Sequence, residues 1–120
     1  MWGIIKNFFT PKSPFAEQGK DLLAIRLLLG EKHKWCQGSM YRYNDDAYCL
    51  WGAYYKLEGS SSITPYFLAQ KIHQKYPGEV DHLFNGGDYD RVIMRWNDNP
   101  KRTYEEVINL LNELIREINP

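Results

Sequence analysis

The chain has 120 residues, 43% of them hydrophobic and 15% aromatic, with fifteen basic against fifteen acidic side chains and a formal charge of zero. This length supports one domain with a core large enough to fold unaided. Zero net charge excludes the strongly basic footprint of a non-specific nucleic-acid binder, so nucleic acid is not an expected partner.

Charge is distributed unevenly. Residues 1–42 hold seven Lys/Arg and three Asp/Glu, a balance of +4, whereas residues 43–90 hold three and seven, a balance of −4. Such polarity helps orient a partner without naming one. Cys36 and Cys49 are too few for a secreted disulfide scaffold. The opening Met1–Phe9 is too short for a signal sequence and has no small-residue cleavage pattern. No run reaches the roughly eighteen apolar residues of a membrane span. A soluble, cytoplasmic protein is the expectation.

Residues 1–15 read as an aromatic arm and 16–120 as a helical domain. In the arm, Trp2, Ile5, Phe8 and Phe9 cap the core in the plainer reading and touch a membrane surface in the other. After Thr10-Pro11-Lys12-Ser13-Pro14 the spacing predicts a helix over 16–33. Leu22, Ile25 and Leu29 form its stripe, and Leu23, Leu27 and Leu28 broaden it to that of a heavily buried helix. Gly38 is suited to a left-handed or close-approach position. Residues 41–46 are polar turn material, with Asp45 or Asp46 as N-cap of a second helix over 47–57. There Ala47, Leu50, Trp51 and Tyr54 share one face. Cys49, Gly52 and Ala53 offer a small-residue face for close approach by another helix, and Gly59 stops the helix.

A third helix opens at Thr64-Pro65, with Thr64 as cap and Ile63 stapled over Leu68. Tyr76-Pro77-Gly78 ends it. A short helical turn over 79–84 and an Asn85-Gly86-Gly87-Asp88 loop follow. Residues 90–96 are expected to be helical, since no partner strand is in sight. Trp96-Asn97-Asp98 are expected on a tight corner, because Pro100 disfavours helical geometry at Asn99. The last helix covers 103–118, with Thr103 and Glu106 as a reciprocal capping box. Val107, Leu110, Leu111, Leu114 and Ile118 form its stripe. The fold class is therefore all-α, a compact bundle of five or six helices.

Chemistry is harder to read. His33, His73 and His82 are scattered, and no CxxC pair exists, so no metal is expected. Cys36 has a helix end behind it and Cys49 an apolar face, neither of which lowers a thiol pKa. Asn85-Gly86-Gly87-Asp88 lacks the Lys-Ser/Thr and the preceding strand of a phosphate loop. No cofactor is expected. Asp98 with a histidine would suit acid–base work, but it reads equally well as a turn former.

Three signatures occur in order: Lys34-Trp35-Cys36-Gln37-Gly38, Tyr48-Cys49-Leu50-Trp51-Gly52-Ala53, and Trp96-Asn97-Asp98 followed by Arg102-Thr103. Together, over about residues 18–118, they resemble a family of small uncharacterised proteins from actinobacteria, other bacteria and phages, catalogued as a domain of unknown function. Members of that family read Gly-Trp-x-x-Gly-Ala, then Cys-x-x-Gly-Ala, then Trp-Asn-Asp before an Arg-Thr-capped helix. This chain departs from the pattern at Lys34 and Ser39 and adds the aromatic arm. The resemblance implies an all-α fold and no particular activity.

Three readings remain open. In the first, the chain is a non-enzymatic binding protein, such as a phage or mobile-element accessory or counter-defence factor. It would grip a small molecule or host protein through Trp35, Gln37, Trp51, Trp96, Asn97, Asp98 and Arg102, with Tyr54 nearby, because aromatics with a few convergent polar groups suit pockets and hot spots. In the second it is a small hydrolase or transferase using Asp98 with a histidine. In the third the signatures are joints of the fold.

Overall fold

A computed structural model describes residues 15–58 and 61–118 of the protein. The arm around Trp2, Ile5, Phe8 and Phe9 and the expected stop at Gly59 lie outside those residues. Within them the chain forms six α-helices: α1 (Ala16–Leu28), α2 (Leu50–Lys56), α3 (Thr64–Lys75), α4 (Pro77–Asn85), α5 (Tyr89–Asp98) and α6 (Tyr104–Ile118). The expected all-α bundle is the architecture found. Two-residue strands β1 (Tyr41–Arg42) and β2 (Ala47–Tyr48) pair antiparallel, Tyr41 opposite Tyr48 and Arg42 opposite Ala47. On the other side of β2, Trp35 bridges to Tyr48 in parallel.

α6 is where sequence and structure agree best. Val107, Leu110, Leu111, Leu114 and Ile118 are all buried. The capping box forms both ways: the Glu106 N–H donates to Thr103 Oγ1 at 3.1 Å, and the Thr103 N–H donates to Glu106 Oε1 at 2.9 Å. α6 packs on α1 and α3, α3 on α4 and α5, and α2 on α5 and α1. Leu22, Ile25 and Leu29 from the first helical stretch meet Leu68, Ile72, Ile93 and Trp96 in one core. Each fully buried aliphatic side chain there contributes about 1.5–3 kcal/mol. Polar pegs fix the α1–α6 pair: Tyr104 donates its hydroxyl to the Leu29 carbonyl at 2.5 Å, and Arg26 Nε donates to Asn112 Oδ1 at 3.1 Å.

Several local expectations are corrected. The first helix stops at Leu28 rather than His33. The Gly30 N–H turns back to the Leu27 carbonyl at 3.1 Å, and a 3₁₀ turn over Lys32–Lys34 swings Trp35 alongside β2. Its stripe is also narrower than predicted, with Leu23 47% and Leu27 80% exposed. The second helix begins at Leu50, because Ala47 and Tyr48 are taken by the hairpin. Its cap is Cys49, whose Sγ accepts from the Gly52 N–H at 3.2 Å. Asp46 instead sits in the left-handed region (φ 52°) behind a 3₁₀ turn. Thr64 is the first residue of α3 and does not cap it, since its hydroxyl donates to Asp21 Oδ2 on α1 at 2.7 Å. Ile63, expected as a staple, is 53% exposed. The small-residue face of α2 does receive a close neighbour, but a backbone rather than a helix. A Cβ on Gly52 would lie 2.0 Å from the Met40 carbonyl oxygen. Gly38 takes the left-handed conformation (φ 85°) that its residue type permits.

Candidate functional site

Asn99, in extended geometry before Pro100, stops α5 (φ −57°, ψ 125°). Trp96, Asn97 and Asp98 therefore form the last turn of that helix, and the corner comes just after them. A helix end leaves carbonyls without intrahelical donors. Here Gln37 supplies them, Nε2 donating to the carbonyls of Asn97 and Asn99 at 2.8 Å each. Arg102 supplies another, Nε donating to the Trp96 carbonyl at 2.9 Å.

Asn97 lies at the centre and is fully buried. Its Oδ1 accepts from Trp35 Nε1 at 2.7 Å and from the Leu50 N–H at 3.0 Å. Its Nδ2 donates to the Cys36 carbonyl at 3.1 Å and to Asp98 Oδ1 at 2.9 Å. Those four bonds use the entire capacity of a primary amide. One side chain thus ties α5 to the segment after α1 and to the start of α2. Asp98 Oδ1 also accepts from the Gly38 N–H at 3.0 Å, which explains why a glycine with positive φ precedes the hairpin.

Arg102 is the second hub, its side chain only 4% exposed. Its guanidinium carbon stands 4.5 Å from the Tyr76 ring centroid and 4.3 Å from that of Trp96. It pairs with Glu79 of α4 and lies 3.6 Å from Glu106. Glu79 Oε1 further accepts from Asn99 Nδ2 at 3.1 Å. A buried charge needs this matched company, because stripping it of water costs several kcal/mol.

Of the seven residues singled out by sequence, the structure joins Trp35, Gln37, Asn97, Asp98, Trp96 and Arg102 through one bonded and stacked network. Trp51 makes no described contact with it. Trp51 instead packs on Tyr54 at 5.4 Å, and Tyr54 donates to the Ser61 carbonyl at 2.8 Å. Sequence reasoning missed Glu79, since nothing in Pro77-Gly78-Glu79 announces a counter-ion for a residue 23 positions away. It also missed Asp21, whose buried carboxylate accepts from the Ser61 N–H at 3.0 Å and from Thr64.

Beside the joint, an open depression of about 600 Å³ is lined by Glu79, Arg95, Asp98, Asn99 and Pro100. Among the described residues no hydroxyl, thiol or imidazole lines it. Burial raises the Cys36 thiol above its ordinary value and pushes that of Cys49 up to about 11, against the lowering a nucleophile needs. His33 contacts Glu31 at 3.3 Å, and His73 contacts Asp81 at 2.8 Å while stacking on Phe84. Among the described residues no three His, Cys, Asp or Glu side chains converge as a metal would require, and no helix is long and apolar enough to cross a membrane.

A bundle with six helices among the described residues, sewn together at one helix end by a buried amide and a buried guanidinium, defines a small all-α protein. The chain belongs to the family of unknown function DUF6197, which matches residues 17–117. No curated protein and no solved structure matches it.

Proposed function

We propose that the chain is a non-enzymatic binding protein that takes a small molecule, or the tip of a host protein, in the depression beside the α5 terminus. The observation that carries this reading is the state of Asp98. It is the one signature residue that lines the depression, and two hydrogen bonds hold its Oδ1 from behind. A charged group fixed in place by its own scaffold recognises a ligand at low entropic cost. The lining offers no nucleophile with a neighbouring base, which an enzymatic reading would need. Of the remaining signature residues, Trp35, Gln37, Asn97 and Arg102 spend polar atoms inside the joint and serve the scaffold.

Native mass spectrometry of the protein recovered from its own host under mild conditions tests this. A bound species near one equivalent is expected, because a nanomolar complex, worth about 12 kcal/mol, survives purification. Asp98→Asn keeps an oxygen for the Gly38 N–H and removes the charge, so it should release that species with the melting temperature unchanged. Turnover of a recovered compound by the wild-type protein, abolished in Asp98→Asn, would instead establish an enzyme.

A further inference from the structure

We infer that the depression takes a small zwitterion of the α-amino-acid type, with its carboxylate on Arg95 and its ammonium group on Asp98. The inference rests on the binding reading above and gives it a ligand class. Arg95 and Asp98 lie three residues apart on α5, which makes them neighbours on one helix face. Such a pair ordinarily closes on itself. Here it does not: Asp98 is drawn toward Gly38 and Asn97, and among the described residues Arg95 has no carboxylate within 4.0 Å. The scaffold thus holds apart two opposite charges that line the same depression.

Charge accounting narrows the ligand. Glu79 also lines the depression, but it is ion-paired with Arg102 behind it, a guanidinium that also faces Glu106 at 3.6 Å. Among the described residues, Asp98 and Arg95 are the lining charges that belong to no ion pair. A polyanion would meet Asp98 unfavourably, and a simple cation would meet Arg95. A molecule carrying both charges a few ångströms apart satisfies both. Arginine favours carboxylate because its planar fork can donate two parallel hydrogen bonds. The volume is within the range of small-molecule sites.

The test is NMR titration of the ¹⁵N-labelled full-length protein with each of the twenty common α-amino acids. The N-acetyl and carboxamide derivatives, which each lose one of the two backbone charges, serve as controls. At least one amino acid should shift the Arg95 side-chain Nε–H and the Asp98 and Asn99 amides. It should bind at least tenfold more tightly than either derivative. Arg95→Gln and Asp98→Asn should each weaken it tenfold or more, with melting temperatures unchanged. Equal binding of the derivatives, shifts confined to other residues, or indifference to both substitutions would overturn the inference. Silence from all twenty while a ligand of other chemistry is recovered from the host would sink this inference and leave the binding reading standing. Silence in both experiments would remove both.

Discussion

Arg102 lies over Trp96 with its guanidinium carbon 4.3 Å from the ring centroid, while its Nε–H caps the carbonyl of that same tryptophan at 2.9 Å. One side chain thereby stacks on a residue's ring and terminates its helix. A lysine ammonium has neither the planar face nor the fork, so it cannot stack between Trp96 and Tyr76, cap the Trp96 carbonyl and pair with Glu79 at once. Arg102→Lys should cost about 2 kcal/mol, less than the roughly 3–5 kcal/mol of removing one partner of a buried pair, because the charge is kept. Urea unfolding measures it. A loss below about 0.5 kcal/mol would mean that the stack and the cap contribute little.

Asn97→Ala should be the more damaging change. It strands the Leu50 N–H in the interior and removes the acceptor of Trp35 Nε1 and the donor to the Cys36 carbonyl. Each unpaired buried group costs about 1–3 kcal/mol, so a loss of about 3 kcal/mol is expected. At several degrees per kcal/mol for a domain of this size, the melting temperature should fall by about 10 °C or more. Differential scanning calorimetry reads this directly.

Gly52→Ala probes the seam between α2 and the hairpin. The new methyl would sit 2.0 Å from the Met40 carbonyl oxygen, and backbone cannot rotate aside as a side chain does. Overpacking of this kind costs about 1–3 kcal/mol or more, which outweighs alanine's better helix propensity. Thermal melts monitored by circular dichroism should show a lower midpoint. A stabilised variant would contradict the close approach.

The acid limb of stability should carry a signature of Glu106. The Thr103 backbone N–H holds its carboxyl below the ordinary carboxylate value, with Arg102 adding to the effect. A depressed folded-state pKa gives stability that is present above the unfolded pKa of about 4.3 and lost as pH falls through the folded value. Glu106→Gln should therefore weaken the protein at neutral pH and flatten the loss between about pH 5 and 3. Denaturant midpoints taken across that range decide it, an unchanged slope ruling out the role of the capping carboxylate.

Much of this was legible in the chain. The α6 stripe and its capping box, the breaks at Tyr76-Pro77-Gly78 and Asn85-Gly86-Gly87-Asp88, and the helical state of residues 90–96 all follow from short-range rules. Periodicity, caps and proline act within a few residues, and no distant neighbour overrode them there. Gly38 was flagged for the backbone state it adopts. The errors fall where a distant partner competed for a residue. Thr64 looked like a cap and gave its hydroxyl to Asp21. Ala47 and Tyr48 looked helical and went to the hairpin. Leu23 and Leu27 are a different error, marked as buried by periodicity and left exposed.

The same division holds for the site. The sequence by itself singled out Trp96, Asn97, Asp98 and Arg102, because polar and aromatic types crowd around a proline corner there, and Trp35 and Gln37 through the signature that resembles the family's. Only the tertiary structure decided what each one does. It brought Leu50 and Cys36 within hydrogen-bonding distance of Asn97 across 47 and 61 residues of chain, spending the amide inside the fold. It turned Asp98 away from Arg95 and left both on an open depression. It excluded Trp51 from the described network. Side-chain chemistry is fixed locally, but whether a polar atom remains available to a ligand depends on which distant groups have already satisfied it.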